Sequence, residues 1–101
     1  MAKKVDISIV IVNYKVKEYV SNLLSSIYKA ASQYTVQIFV VDNDSGDDSL
    51  AYLRQRHPAV SYIANEDNLG FSKANNQAIK EAKGEFTLII NPDTLVSEDT
   101  F

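Results

Sequence analysis

The sequence has no cysteine, and it contains a single histidine, His57, in 101 residues. Without cysteine, the chain can form neither a disulfide framework nor a thiolate metal site, and one histidine cannot make a zinc site alone. Ten basic and thirteen acidic residues give a net charge of −3, so the excess of positive charge that binds nucleic acid is missing. We therefore expect no nucleic-acid partner.

Long hydrophobic runs are also missing. The longest apolar segment, residues 7–12, is far too short to span a bilayer, and no apolar region of signal-peptide length follows Met1. We therefore expect a soluble, cytoplasmic protein. Peripheral association with the inner membrane face is expected only of a full-length form. Residues 96–101 resemble the beginning of another element, so we expect residues 1–101 to be the N-terminal part of a longer protein.

What the sequence does contain is a regular alternation of two patterns. Short runs rich in β-branched residues predict strands at 7–12, 36–41, 60–64 and 86–90. Apolar residues at steps of three and four predict helices at 17–31, 48–56 and 72–82. Connections of this length favour right-handed parallel crossovers. We predict an α/β fold, a Rossmann-like βαβαβαβ parallel sheet in the order 3-2-1-4, sandwiched by helices.

The last of these runs is followed by a sharp change in chemistry. Residues 86–90 read as a fully buried strand, and Asn91, Pro92 and Asp93 follow directly. Proline lacks the N–H that a strand needs to continue its ladder. We therefore expect Asp93 in a loop just outside the sheet, at the edge where open α/β sheets bind ligands.

In the predicted strand order, the residues after the first, second and fourth strands face one crevice. They are Asn13, Tyr14, Asp42, Asp44 and Asp93. Carboxylates gathered at one edge repel one another unless cations or donors lie between them. A diphosphate with Mg²⁺ or Mn²⁺ satisfies this condition, because such hard cations take carboxylate and phosphate oxygens.

The usual phosphate-binding motifs are absent. No Gly-x-Gly-x-x-Gly follows the first strand, and there is no Walker lysine loop. Free N–H groups at a helix N-terminus are an alternative anion site. The turn from Asn68 through Gly70 to Phe71 leads into such a terminus, with Lys73 nearby, and Gly70 is expected to adopt a positive φ.

These motifs, in this order, resemble the nucleotide-sugar-binding half of the family 2 glycosyltransferases, which have the GT-A fold. The resemblance covers nearly the whole chain. It rests on four motifs, at residues 13–14, 41–45, 68–76 and 90–93. It is strongest to the rhamnosyltransferase-like branch, in which Asn-Pro-Asp replaces the usual Asp-x-Asp.

The resemblance implies roles for individual residues. Asp42 would bind the base or ribose, Tyr14 would line the base pocket, Asp93 would hold the metal, and Asn76 would match the family's asparagine in the third helix. It implies an inverting transfer of a sugar from a UDP- or dTDP-sugar to a saccharide or lipid-linked acceptor, in surface polysaccharide synthesis. The catalytic base would lie beyond residue 101.

Three residues depart from the family pattern, and two other functions stay open. Asn91, Asn75 and Ala78 stand where many members have Asp, Arg and Gly. One alternative is a non-catalytic nucleotide-binding module of the same fold. The other is a receiver-type signalling domain, which would want an acidic pair after the first strand, where this chain has Asn13 and Tyr14.

Overall fold

The computed structural model describes residues 5–90, in which strands and helices alternate without exception. The seven elements are β1 (Ile7–Asn13), α1 (Lys17–Ala30), β2 (Val36–Asp42), α2 (Ser49–Arg56), β3 (Ser61–Ala64), α3 (Phe71–Ile79) and β4 (Phe86–Ile89). Within these residues, no helix has the length and apolar character that crossing a membrane requires.

The four strands form one parallel sheet in the order β3-β2-β1-β4, which confirms the predicted topology. The register pairs Ile7 with both Val36 and Phe86, and it pairs Asn13 with Asp42. Because all strands run the same way, their carboxyl ends share one edge of the sheet. We call this edge, with the loops that follow β1, β2 and β3, the carboxyl edge.

Helices cover both faces of the sheet. On one face, Ile9 and Ile11 of β1 pack with Leu24 and Ile27 of α1 and with Leu53 of α2. On the other, Ala74 and Ala78 of α3 pack against alternate residues of β1 and β2, namely Val10, Val12, Phe39 and Val41. Small side chains let α3 lie close to the sheet. Each fully buried leucine or isoleucine stabilises this arrangement by about 1.5–3 kcal/mol.

The prediction of a fully buried strand at 86–90 was wrong. Phe86 is 68% exposed and Ile89 is 49% exposed, while Leu88 is partly buried against the core. Among the described strands β4 pairs with β1 alone, so it lies at an edge, and α3 packs on β1 and β2 instead. An apolar run has the same appearance in a central strand and in an edge strand, so the sequence pattern could not show that β4 is only partly covered.

Gly84 holds β4 close to β1. The sequence predicted a third helix that runs to residue 82, but α3 ends at Ile79, well before this glycine. A Cβ on Gly84 would lie 2.5 Å from the Ser8 nitrogen and 2.8 Å from the Ile7 carbonyl carbon. Its N–H donates to Ser8 Oγ at 2.8 Å, so a polar side chain near the start of β1 anchors the segment that leads into β4.

Candidate functional site

A buried polar network joins the ends of β1 and β2. Asn13 Nδ2 donates to Asp42 Oδ1 at 2.8 Å and to Ser45 Oγ at 3.1 Å. Ser45 Oγ donates in turn to the same carboxylate oxygen at 2.5 Å. The three side chains are almost completely buried. The structure therefore brings together Asn13 and Asp42, as predicted from their positions at adjacent strand ends.

This network leaves one oxygen of Asp42 with spare hydrogen-bonding capacity. Oδ1 accepts both strong hydrogen bonds, whereas the hydrogen bond to Oδ2 comes from the Ser45 N–H at 3.5 Å. A carboxylate oxygen can accept about two hydrogen bonds. Asp42 keeps 8% of its surface exposed. The carboxylate is thus fixed through one oxygen and can accept from a ligand N–H or O–H through the other.

Exposed side chains surround this fixed carboxylate. Tyr14 is 44% exposed, and Lys15 Nζ lies 5.2 Å from the centroid of its ring. Lys15 and Asp44 adopt left-handed φ angles of 59° and 62°. Asp and Asn tolerate this region better than most residues. Asp44 is exposed, so the structure places it at the rim of the carboxyl edge rather than within the buried network.

Asn43 connects the end of β2 to the loop before α3. Its Nδ2 donates to Asn68 Oδ1 at 2.8 Å and to the Gly70 carbonyl at 3.4 Å. Its Oδ1 accepts from the Leu69 N–H at 2.9 Å and from Asn65 Nδ2 at 3.3 Å. Asn43 is 3% exposed. One buried amide therefore fixes the loop at residues 65–70 beside the carboxyl edge.

That loop leads into the N-terminus of α3. Gly70 precedes the helix with φ 81°, which confirms the expected positive φ, and its N–H is capped by Asn68 Oδ1 at 2.9 Å. Phe71, the first helical residue, is 57% exposed, and Lys73 is exposed beside it. The backbone N–H groups of the first turn have no partner within the helix. They provide donors for an anion at the same edge.

The adjacent asparagines of α3, Asn75 and Asn76, differ in exposure. Asn76 is exposed and lines a shallow groove of about 410 Å³ on the outside of α3, together with Lys73 and Lys80. Asn75, in contrast, is 3% exposed. The structure thus places the predicted site residue Asn76 on the outer surface of the helix, and its role stays a prediction.

The acidic residues after Asp44 serve α2. Asp47 accepts hydrogen bonds from the N–H and Oγ of Ser49, which lower the pKa of the Asp47 carboxyl. Asp48 forms an ion pair with Lys17 of α1. The hydrogen bond to Asp48 is the main cause that raises the pKa of the Lys17 ammonium. These two carboxylates connect helices and stabilise a helix start.

Asp93, the predicted metal ligand, lies outside the described residues. Within residues 5–90 no group of three or more histidine, cysteine or acidic side chains could hold a metal ion. The described part of the carboxyl edge therefore does not form a complete metal site.

Another hollow lies at the opposite edge of the sheet. It has a volume of about 540 Å³, and its lining includes Asp6, Ile7, Tyr34 and Phe86. Ile7 and Phe86 are the first residues of their strands. Parallel α/β sheets bind ligands at the carboxyl ends of their strands. The fixed carboxylate of Asp42 and the N-terminus of α3 also lie at the carboxyl edge, so we place the candidate site at the carboxyl edge and not in this hollow.

The sequence reasoning gave no role to Asn43, Ser45 or Asn75. The first two follow a buried strand directly, within a run of turn-forming residues. A polar side chain three residues after a strand-end aspartate can hydrogen-bond back to it, so the spacing of Asp42 and Ser45 was a usable signal. Asn75 stood out in the sequence only as a departure from the family pattern, and its burial could not be predicted because it depends on how α3 packs.

Comparisons with known proteins identify the family of this chain. Residues 8–101 match the model of the family described as Glycosyl transferase family 2. The chain is 37% identical over 100 residues to the low-salt glycan biosynthesis hexosyltransferase Agl10 of Haloferax volcanii, covering 93% of this chain and 30% of that protein.

Solved structures share the fold. TarS of Staphylococcus aureus in complex with UDP superposes with a TM-score of 0.80 at 27% identity, covering 94% of this chain and 29% of that one. The mannosyltransferase PcManGT of Pyrobaculum calidifontis, solved with GDP-Man and Mn²⁺, gives a TM-score of 0.84 at 24% identity, covering 98% of this chain and 31% of that one. The chain spans 11% to 32% of the length of the curated relatives it matches.

Proposed function

Because this chain belongs to glycosyl transferase family 2, we propose that it forms the donor-binding part of an inverting glycosyltransferase. The donor is a nucleotide-diphosphate sugar, and the acceptor is a saccharide or a lipid-linked saccharide in surface polysaccharide synthesis. The observation that carries this proposal is the Asn13–Asp42–Ser45 network, which fixes one carboxylate at the carboxyl edge. The relatives support the same reading, since TarS was solved with UDP and Agl10 is a hexosyltransferase.

Asp42 recognises the nucleoside in this proposal. Its Oδ1 is held by Asn13 and Ser45, so Oδ2 accepts from a base N–H or a ribose hydroxyl. The exposed ring of Tyr14 offers an aromatic face on which a base can stack. A uracil or thymine presents one N–H beside two carbonyls, which is why a UDP- or dTDP-sugar fits a lone acceptor oxygen best.

The diphosphate lies against the start of α3. The N–H groups of its first turn and the Lys73 ammonium are the described donors that suit phosphate oxygens. Gly70 lets the chain enter the helix with φ 81°. Asn68 caps Gly70, so we include it as a residue that shapes this loop. Asn76 completes the set as an exposed amide one turn further along α3.

A divalent ion, Mg²⁺ or Mn²⁺, belongs to this proposal through Asp93. When bound, such an ion neutralises the charge that develops on the departing diphosphate. Since residues 5–90 do not form a metal cluster, the requirement for metal depends on Asp93 and is tested with it. The remaining groups of this chain bind and orient the donor.

Transfer itself needs a base that deprotonates the acceptor hydroxyl on the face opposite the leaving diphosphate. We propose that this base and the acceptor-binding half come from sequence beyond residue 101, since the chain spans about a third or less of its relatives. The chain alone should therefore bind donor without completing transfer.

Isothermal titration of the chain with UDP, dTDP and GDP, each with and without Mn²⁺, tests the proposal. We expect a pyrimidine diphosphate to bind most tightly, and Asp42→Asn to weaken it about tenfold or more, which is the value of one charged hydrogen bond. Glu81→Gln, at an exposed position after α3, is the matched control and should bind like the parent. Equal affinities for Asp42→Asn and the parent would remove Asp42 from the site.

A further inference from the structure

One buried polar atom has no partner among the residues that the structure describes. Asn75 Nδ2 donates to the Phe71 carbonyl at 3.0 Å, but Asn75 Oδ1 makes no hydrogen bond. Leaving a buried carbonyl oxygen unpaired is costly, so an atom of this kind calls for an explanation. The amide cannot simply be turned over, because Oδ1 would then face the Phe71 carbonyl oxygen.

The position of Asn75 on α3 shows where this oxygen lies. Gln77 forms a reciprocal pair of hydrogen bonds with Asn65, the residue after β3, so Gln77 marks the side of α3 that faces β3. Two helical residues span about 200°, which puts Asn75 about 160° away from Gln77. Ala74 and Ala78 lie between them and pack on the sheet. Asn75 is therefore on the side of α3 towards β1 and β4.

This side coincides with the point at which the strand order reverses. β1 lies between β2 and β4, and the crevice at the carboxyl ends of β1 and β4 is where open α/β sheets bind ligands. The start of α3 reaches this edge, because the Gly70 carbonyl accepts from Asn43 Nδ2 at the end of β2. The unsatisfied acceptor thus lies on the side of α3 that faces β1 and β4, whose carboxyl ends line this crevice.

We propose that Asn75 is a specificity-determining residue, whose Oδ1 accepts a hydrogen bond from an N–H or O–H group of the bound nucleotide sugar. The inference rests on the proposed function. Phe71 lies one helical turn before Asn75, is 57% exposed, and its backbone carbonyl accepts the hydrogen bond that fixes the Asn75 amide. A neutral acceptor at this position selects for a donor group on the ligand. It gains nothing from a group that offers only oxygens, such as the diphosphate.

The proposal predicts that one substitution weakens nucleotide binding without lowering the stability of the chain. Asn75→Leu keeps the number and branching of the side-chain heavy atoms and removes both polar atoms, and the Phe71 carbonyl keeps its helical N–H partner. Removing an unpaired buried oxygen should leave the melting temperature unchanged or raise it. The affinity for the nucleotide should fall about two- to tenfold, since one hydrogen bond to a neutral acceptor is lost. Asn75→Ala provides a second variant without a branched side chain, and Asn22→Leu, on the exposed side of α1, is the matched control.

Titrations with UDP, 2′-deoxy-UDP, GDP and UDP-GlcNAc identify the group that contacts Asn75. A ligand that lacks this group cannot form the hydrogen bond to Asn75, so Asn75→Leu should not lower the affinity for that ligand. An effect on UDP but not on 2′-deoxy-UDP assigns the ribose hydroxyl. An effect confined to UDP-GlcNAc assigns the sugar, and a selective effect on UDP or GDP, shared by the deoxy form, assigns a base N–H.

Three results would overturn the inference. One is a parent-like affinity of both Asn75 variants for all four ligands. Another is an equal loss for all four ligands and for 3′-deoxy-UDP, which would indicate the shared diphosphate or a general distortion; a loss that spares 3′-deoxy-UDP alone assigns the 3′-hydroxyl instead. A third is a clear fall in melting temperature with unchanged affinity, which would show a structural role. Failure of the parent chain to bind any of the four refutes the proposed function itself, and the inference falls with it.

Discussion

Replacing Asn43 by alanine should both destabilise the chain and weaken nucleotide binding. The substitution removes two short hydrogen bonds, to Asn68 at 2.8 Å and from the Leu69 N–H at 2.9 Å, and two longer ones at 3.3 and 3.4 Å. A net value of about 1 kcal/mol for each short bond, and about half for each long one, gives a loss of about 2 to 3 kcal/mol.

This loss is large for a small domain. A change of 1 kcal/mol shifts the melting temperature of a chain of this size by about 4 to 8 °C, so Asn43→Ala should melt about 10 to 20 °C lower than the parent. Circular dichroism at 222 nm measures the shift. Binding of UDP should weaken as well, since the loop at residues 65–70 sets the position of the Gly70–Phe71 helix start.

The control is Asn22→Ala, which makes the same change on the exposed side of α1. Alanine has the higher helix propensity, so this variant should melt at the parent temperature or slightly above it. If Asn43→Ala melted within about 3 °C of the parent, the amide would not hold the loop. If it melted lower but bound UDP as tightly as the parent, the loop would not belong to the site.

Three further predictions concern other parts of the chain. Gly84→Ala should lower the free energy of unfolding by about 2 kcal/mol or more, measured with urea, because its Cβ would meet backbone atoms of β1; a neutral effect would contradict the close approach. The free energy of unfolding should fall as the pH drops from 7.5 to 5.5, because burial and, to a lesser extent, Arg56 lower the pKa of His57 below 6.5, so the unfolded state takes up the proton first. His57→Gln should flatten this pH dependence. An unchanged slope in that variant would exclude His57 as its cause. Asp93→Ala should abolish any effect of Mn²⁺ on UDP binding, and an undiminished effect would exclude Asp93 as the metal ligand.

Much of the fold could be predicted because it follows from short-range patterns. The β-branched runs and the steps of three and four in α1 fixed the order of elements, and the handedness of crossovers limited the sheet to few arrangements. The burial of β4 could not be predicted, because it depends on which strands and helices lie beside it. Phe86 and Ile89 have the same apolar character whether they are covered or not.

The sequence also predicted part of the candidate site, namely the residues at the ends of adjacent strands. Asn13 and Asp42 could be placed together, since adjacent parallel strands end at one edge. The hydrogen bonds of Asn43 and the unpaired oxygen of Asn75 could not, because both depend on the loop before α3 and on the rotation of that helix. Side-chain partners across 22 to 26 residues of sequence leave no local pattern.

The central claim is that a nucleotide binds at the carboxyl edge, beside the fixed carboxylate of Asp42. An NMR titration of the ¹⁵N-labelled chain with UDP and Mg²⁺ tests it most directly. The account predicts that amide shifts cluster at Asn13, Asp42 and Gly70, with no change at the opposite edge. Shifts confined to the hollow around Asp6 and Phe86 at that opposite edge, or no shifts at saturating UDP, would contradict it.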